Sequence, residues 1–539
     1  MKRFLTFVSL FVSIPALYAQ SCDTGKKFFY YQKYASAENF FHQYLKANPN
    51  DDEGWLWLIK SYLQQNKAGK AADTFSLAPV SISDRPDYLI AKGTLSLVRN
   101  KKDSASYYFK KAMEVSKSKN SSVPGLVAEA QLSSEHGDIT YAIEVVTKAL
   151  KKNKNDPWLY ATLGRCYRQL HDGSNAYQAF TTAAQKDENY AAAFFELGKI
   201  FQTQKNTEMY LSFFTKAITA DKNYVPAYYE LYYHYLYTNP SQAMTYFNSY
   251  SMLADKSPQH DYSYTDLLYL TKNYTEAITN ARRLLQQDTA LPRLYKLVAY
   301  SYAELQDTIQ ALSFMEKYFA KGHDSIFIAK DFETAATLYA SSSIDRKDSA
   351  ITYYQKAISA TTDSSMLYDY YAELASLSKS IRDYDAQAGW LGLYYRGNEK
   401  ASNIDLFNWG IAAYRSGNFT LADTAFATYT EKYPEQGFGY YWRARSNAAI
   451  DTTMETGLAI PHYRKLTEIL NIDSLSATDK KWITEAYSYL AAYETNTLKN
   501  YDQAVGYFEK ILVVDPENET AKKYIDILEK TIGKKEDTN

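Results

Sequence analysis

Residues 157–222 read PWLYATLGRCYRQLHDGSNAYQAFTTAAQKDENYAAAFFELGKIFQTQKNTEMYLSFFTKAITADK, and one pattern occurs in them twice. Leu163, Gly164, Tyr167, Phe180 and Ala183 recur 34 residues later as Leu197, Gly198, Phe201, Phe214 and Ala217. A period of this length marks one supersecondary unit copied along the chain. Within each copy the apolar residues fall at helical spacing in two runs, Leu159–Leu170 and Ala176–Ala184 in the first. Asp172-Gly173-Ser174 lies between the runs and leaves room only for a tight reversal, so the two helices are expected to be antiparallel. Asp156-Pro157 opens the first run as a cap followed by proline in the first turn. Gly164 has no side chain where a second helix must approach, and Phe180 is expected to fill the space between Ala176 and Ala183.

These positions resemble the tetratricopeptide repeat, whose helix-turn-helix unit carries a small-apolar-aromatic signature at this spacing. The resemblance implies an all-α solenoid, a right-handed superhelix of antiparallel helix pairs. Further copies read outward from residues 157–222 in both directions. Residues 26–49 form a truncated first unit with Ala37, Phe41 and Tyr44. Trp55 to Ala78, Gly93 to Ala112 and Ala130 to Ala149 follow. Beyond Tyr224 the copies loosen, and 321–349 reads as an irregular bend between two arrays, 20–320 and 350–532. The pattern recovers in Trp409, Gly410, Gly417, Ala422 and Phe426. A closing amphipathic helix, Thr520–Ile532, is expected to shield the last pair from solvent, with a polar tail at 533–539. Roughly a dozen units fit.

Composition narrows the function. Lys+Arg 60 against Asp+Glu 61 gives a net charge of -1, which does not favour nucleic acid. Lys2-Arg3, the apolar run from Phe4 to Leu17 and Ala19-Gln20 together read as a secretory signal peptide over 1–19. The expected mature chain is exported and periplasmic, with no transmembrane segment. Cys22 lies where a lipid acceptor would anchor an outer-membrane lipoprotein, but Ala19-Gln20-Ser21 matches bacterial lipoprotein signals poorly, so anchoring is not favoured. The only other cysteine, Cys166, falls within a helix, and the two make no disulfide framework.

No catalytic motif stands out, the seven histidines are scattered, and no metal or cofactor is expected. Surface recognition of a protein or peptide partner remains. In the repeats this chain resembles, the first helix of each pair lines a concave groove. Repeat phase then places Trp158, Arg165 and Arg168 in that groove, followed by Phe195 and Lys199, then Tyr229, Tyr233 and Tyr237. These would form an aromatic wall with a basic patch at one end, made of side-chain types that dominate interface energetics. Arg165, Lys199 and Tyr233 occupy equivalent positions, so the Lys/Asn clamp that some such proteins use for a terminal carboxylate is not reproduced. The alternative is a glycan-binding surface protein built from similar helices. Finally, Asp-Ser/Thr triplets resemble an O-glycosylation acceptor signal used on exported proteins by one group of Gram-negative bacteria. Those at Thr289, Ser325, Thr452 and Ser474 fall between helices and suit modification. Those at Ser104, Thr308, Ser349 and Thr424 lie near the start of a second helix, where an acidic residue is favoured anyway.

Overall fold

A glycine facing a phenylalanine ring recurs through the chain and fixes how close two helices come. In the computed structural model a Cβ on Gly164 would meet Phe180 at 2.6 Å, and the same contact occurs at Gly93–Phe109 (2.6 Å), Gly198–Phe214 (2.5 Å) and Gly410–Phe426 (2.6 Å). All four phenylalanines are fully buried, so any larger residue at these glycines pushes the pair apart. The structure describes residues 21–116, 122–287, 291–342, 346–470 and 475–536, and these form helices and turns with no strand among them. The expected helical hairpins are present, with Pro157–Gln169 against Gly173–Lys186 and Ala191–Thr203 against Thr207–Ala220. In the first of these hairpins the chain reverses at His171 (φ 59°) rather than at Gly173. Asp172 is the N-cap, its carboxylate accepting from the Asn175 N–H, so the second helix already begins at Gly173.

The chain forms two compact units, Met1–Leu284 and Leu285–Asn539. In the first, the hairpin expected to be truncated is complete. Cys22–Tyr30 pairs with Tyr34–Ala47, and Gly25 meets Phe41 as Gly164 meets Phe180. The first helices of the following pairs are Asp52–Gln64, Pro86–Val98, Ser122–Leu132, Pro157–Gln169, Ala191–Thr203, Val225–Tyr235 and Pro258–Leu270.

In the second unit the stretch 321–349 is more regular than its sequence suggests. A short 3-10 turn at Asp324–Ile326 leads into Ala329–Ser342, which packs with Lys347–Ala360. Ala311, Ala336, Tyr339, Ala350 and Tyr354 share one apolar cluster, which ties these helices to Thr308–Lys321 and leaves no boundary there. The division at Leu284/Leu285 comes earlier. The last helix also runs further than expected, Glu519–Glu536, taking in part of the polar tail. No helix among the described residues is long and apolar enough to cross a membrane.

Phe180 is fully buried, so Phe180→Ala is expected to cost ~3–5 kcal/mol of unfolding free energy. Urea denaturation followed by circular dichroism measures it; a loss below ~1 kcal/mol would show that the pair does not depend on this ring.

Candidate functional site

The first unit closes on itself. Tyr31 Oη donates to Asp221 at 2.8 Å, and the Ala192 N–H donates to Tyr30 Oη at 3.2 Å. The Tyr30 ring lies 5.8 Å from Tyr190 and 5.2 Å from Tyr224. Helix Tyr34–Ala47 has no capping side chain of its own, and the Asp255 carboxylate takes that place, accepting from the Ala35 N–H at 2.8 Å and from Ser36. A carboxylate at a helix N-terminus satisfies unpaired donors and the helix dipole together.

Between this hairpin and the inner faces of the next first helices lies a cavity of about 310 Å3. Leu56, Ile90 and Leu126 supply apolar wall, Phe29, Gln32 and Tyr34 come from the N-terminal hairpin, and Lys60, Glu129, Arg165, Arg168 and Glu196 supply the charge. Glu129 is the hub. Lys60 donates to it at 2.6 Å, Arg165 at 2.7 Å and Trp158 Nε1 at 2.9 Å. Burial would raise the Glu129 carboxyl, but the charges of Lys60 and Arg165 and these hydrogen bonds overcome that and hold it at about 2. Lys60 is further held over the Trp57 ring, 3.8 Å from its centroid. Burial pushes the Tyr34 hydroxyl up to about 12, against the pull of Arg165.

The expected groove residues divide into three kinds. Arg165 and Arg168 do line the cavity, but neither is a free cation, since Arg165 pairs with Glu129 and Arg168 with Glu196. Lys199 pairs likewise with Glu230 at 3.0 Å. The expected basic patch is thus a ladder of ion pairs, each linking a first helix to another one. Trp158 is part of the framework: its ring fills the space left by Gly125, at 2.2 Å from where a Cβ would stand. Phe195 is half-buried, its ring 5.6 Å from both Phe214 and Tyr224. Tyr229 and Tyr233 are exposed, at 43% and 62%, and their rings stack at 6.2 Å; Tyr237, 80% exposed, lies in the turn beyond the end of helix Val225–Tyr235 and not on the first helix as expected. Of the acidic partners, Glu196 and Glu230 stand 34 residues apart and keep the repeat interval, whereas Glu129 does not; the pairing itself is what a reading by repeat phase misses, because the separation from acid to cation differs in each case.

Cys22 is buried among the apolar residues of the first hairpins, and burial pushes its thiol up. Ser325 and Thr452 are exposed in short turns. Thr289, Ser474, the leader 1–19 and residues 537–539 lie outside the described residues. Among the other triplets, Asp307 is an N-cap accepting from the Gln310 N–H, whereas Asp423 pairs with Arg443 at 2.9 Å. Among the described residues no group of three or more His, Cys, Asp or Glu side chains could hold a metal ion.

The fold is an all-helical array of tetratricopeptide-type hairpins, and the family model for the tetratricopeptide repeat matches residues 29–95. The chain is similar to the C-terminal part of a TPR repeat-containing protein from Cytophaga hutchinsonii, with 27% identity, covering 49% of this chain and 98% of that one at a TM-score of 0.30. It is also similar to a tetratricopeptide repeat protein from Parabacteroides merdae (16% identity, 53% and 96% covered, TM-score 0.22). A third likeness is to yeast Tom70 (16% identity, 74% and 96% covered, TM-score 0.29). At TM-scores this low no function is carried over from them. No curated protein matches the sequence.

Glu129→Gln is expected to cost on the order of 3 kcal/mol at pH 7, because it leaves Lys60 and Arg165 without their shared counter-charge. The Glu129 carboxyl is depressed on folding, so its contribution is present above the ordinary carboxylate range near 4.5 and is lost as pH falls toward 2. Unfolding curves of wild type and variant should therefore converge as pH falls from about 4 toward about 2; a constant gap would remove the ion network as the cause.

Proposed function

We propose that this chain is a non-enzymatic scaffold, exported to the cell envelope, that holds a protein partner on the inner faces of its first helices. One observation carries the reading. Tyr229, Tyr233 and Tyr237 form an exposed aromatic run, and Tyr233 repeats the position of Arg165 and Lys199 on successive first helices. The ion pairs of Arg165, Arg168 and Lys199 make that end of the face a framework, so the anchoring falls to the tyrosines. Tyrosine supplies large contact area at low entropic cost and is common at interface hot spots.

The test is capture of a partner from envelope extract by wild type and by the Tyr233→Ala/Tyr237→Ala double variant. Loss of a central aromatic anchor typically costs ~2 kcal/mol, so retention should fall about 30-fold with an unchanged melting temperature. Equal retention by both proteins would reject the tyrosine face. Retention on polysaccharide without any protein partner would favour the glycan-binding alternative.

Export rests on the charged, apolar and small-residue order of the leader, and it would make Gln20 the first residue of the mature chain. The buried Cys22 side chain supports a soluble periplasmic form over a lipid-anchored one. Exposure of Ser325 and Thr452 supports O-glycosylation there, with Thr289 and Ser474 as the further acceptors. The intact mass of the native exported protein, compared with a cytoplasmically expressed copy, tests both claims. The expected result is loss of residues 1–19 and an added carbohydrate mass; equal masses after allowing for cleavage reject the modification.

A further inference from the structure

Four carboxylates meet where two successive first helices of the first unit begin. Asp51 caps helix Asp52–Gln64, Asp52 and Glu53 stand in its first turn, and Asp87 stands in the first turn of Pro86–Val98. Three of the four are satisfied. Asp51 accepts from the Glu53 N–H at 3.1 Å and from Tyr44 Oη. Asp52 accepts from the Asp87 N–H at 3.2 Å and lies 3.6 Å from Arg85, and Glu53 pairs with Lys26 at 2.9 Å. Asp87 differs: its Oδ1 is shielded from solvent and has no hydrogen-bond partner among the described residues. An acidic side chain at a helix start can satisfy the free N–H groups there, but Pro86–Val98 has no side-chain cap. A carboxylate oxygen shut away from water without a donor favours the neutral acid. Burial is the larger cause here, the charges of Asp52, Glu53 and Asp51 add to it, and the Asp87 carboxyl is pushed up to about 7. The charge of Lys60 opposes the shift, but Lys60 is committed to Glu129 on helix Ser122–Leu132. On the side of helix Lys102–Val115, Lys111 is held by Asp84.

We propose that Asp87 makes a proton-operated joint between helices Asp52–Gln64 and Pro86–Val98. With the proton on, a neutral carboxyl sits beside the Asp52 carboxylate and the two helix ends stay together. With the proton released to solvent, like charges face each other in a shielded space and the ends are driven apart. Lys26 ties helix Cys22–Tyr30 to the same cluster, so the loosening reaches the N-terminal hairpin. The unfolded chain, with Asp87 back at an ordinary 3.8, has released the proton that the folded chain still holds at mildly acidic pH. Stability therefore falls as pH rises from about 4 and levels off above about 7. This trend is opposite in sign to that of Glu129, whose contribution is lost on acidification. The joint depends neither on export nor on the tyrosine face.

Asp87→Asn keeps the shape of the side chain and removes its charge, and it tests the joint in the full mature chain. Urea denaturation is expected to show the wild-type folding constant falling relative to the variant by about tenfold per pH unit between about pH 5 and 7, then levelling off. Hydrogen exchange in residues 86–98 should match in the two proteins at about pH 5 and be faster in wild type at about pH 8. Infrared spectra of wild type should carry a protonated-carboxyl band at about pH 6 that disappears by about pH 8.5 and is absent from Asp87→Asn. Asp52→Asn removes the foremost repelling charge and should move the wild-type midpoint to lower pH by at least ~0.5 unit. A stability gap that stays constant with pH, equal exchange in residues 86–98 at about pH 8, no such infrared band, or a midpoint unmoved by Asp52→Asn overturns the inference.

Discussion

The contact between a glycine on one helix and a phenylalanine ring on the next is the constraint on which the rest of the architecture depends. It sets the approach of the five pairs that carry it, at Gly25, Gly93, Gly164, Gly198 and Gly410, and so how those pairs present their outer faces to their neighbours. Ala176 and Ala183 flank Phe180 on its own helix and are fully buried, and Gly164 on the facing helix admits the ring. A solenoid is a sum of such units and their interfaces, and a defect in one is felt by the two beside it.

On that frame the inner face is charged without being sticky. Each cation expected to reach for a partner is answered from within: Arg165 by Glu129, Arg168 by Glu196, Lys199 by Glu230. Pairing across repeats aligns neighbouring first helices and leaves the aromatic run as the unused part of the surface. Partly buried pairs of this kind add less to net stability than to specificity of arrangement, because desolvation offsets most of the attraction.

Hairpins are legible in the sequence because they are made by local periodicity and by small residues at fixed intervals. Gly164, Phe180 and their copies need no three-dimensional information. The first hairpin looks truncated because Cys22–Tyr30 lacks the full signature, although Gly25 precedes Phe41 by the same interval that separates Gly164 from Phe180. The ion pairs are hidden for a different reason. Glu129 is 36 residues from Arg165, Glu196 is 28 from Arg168 and Glu230 is 31 from Lys199, so no single spacing finds them. The irregular look of 321–349 comes from its turn residues, which mask the apolar cluster that Ala336 and Tyr339 share with Ala311 and Ala350. The fold is thus readable where it repeats, and the cavity is not, because it is closed by the N-terminal hairpin, whose Phe29, Gln32 and Tyr34 reach the repeated first helices at no periodic interval.

Closure of the first unit changes how that unit must fold. Tyr31 and Asp221 are 190 residues apart, and Ser36 and Asp255 are 219 apart, whereas neighbouring hairpins interact over a few tens of residues. An open array can melt from its ends, one repeat at a time. Here the first hairpin is clasped by segments synthesised long after it, so its helix goes without its cap until Asp255 has emerged. Fraying at that end is then coupled to the far side of the unit, which turns a chain of semi-independent modules into one cooperative body.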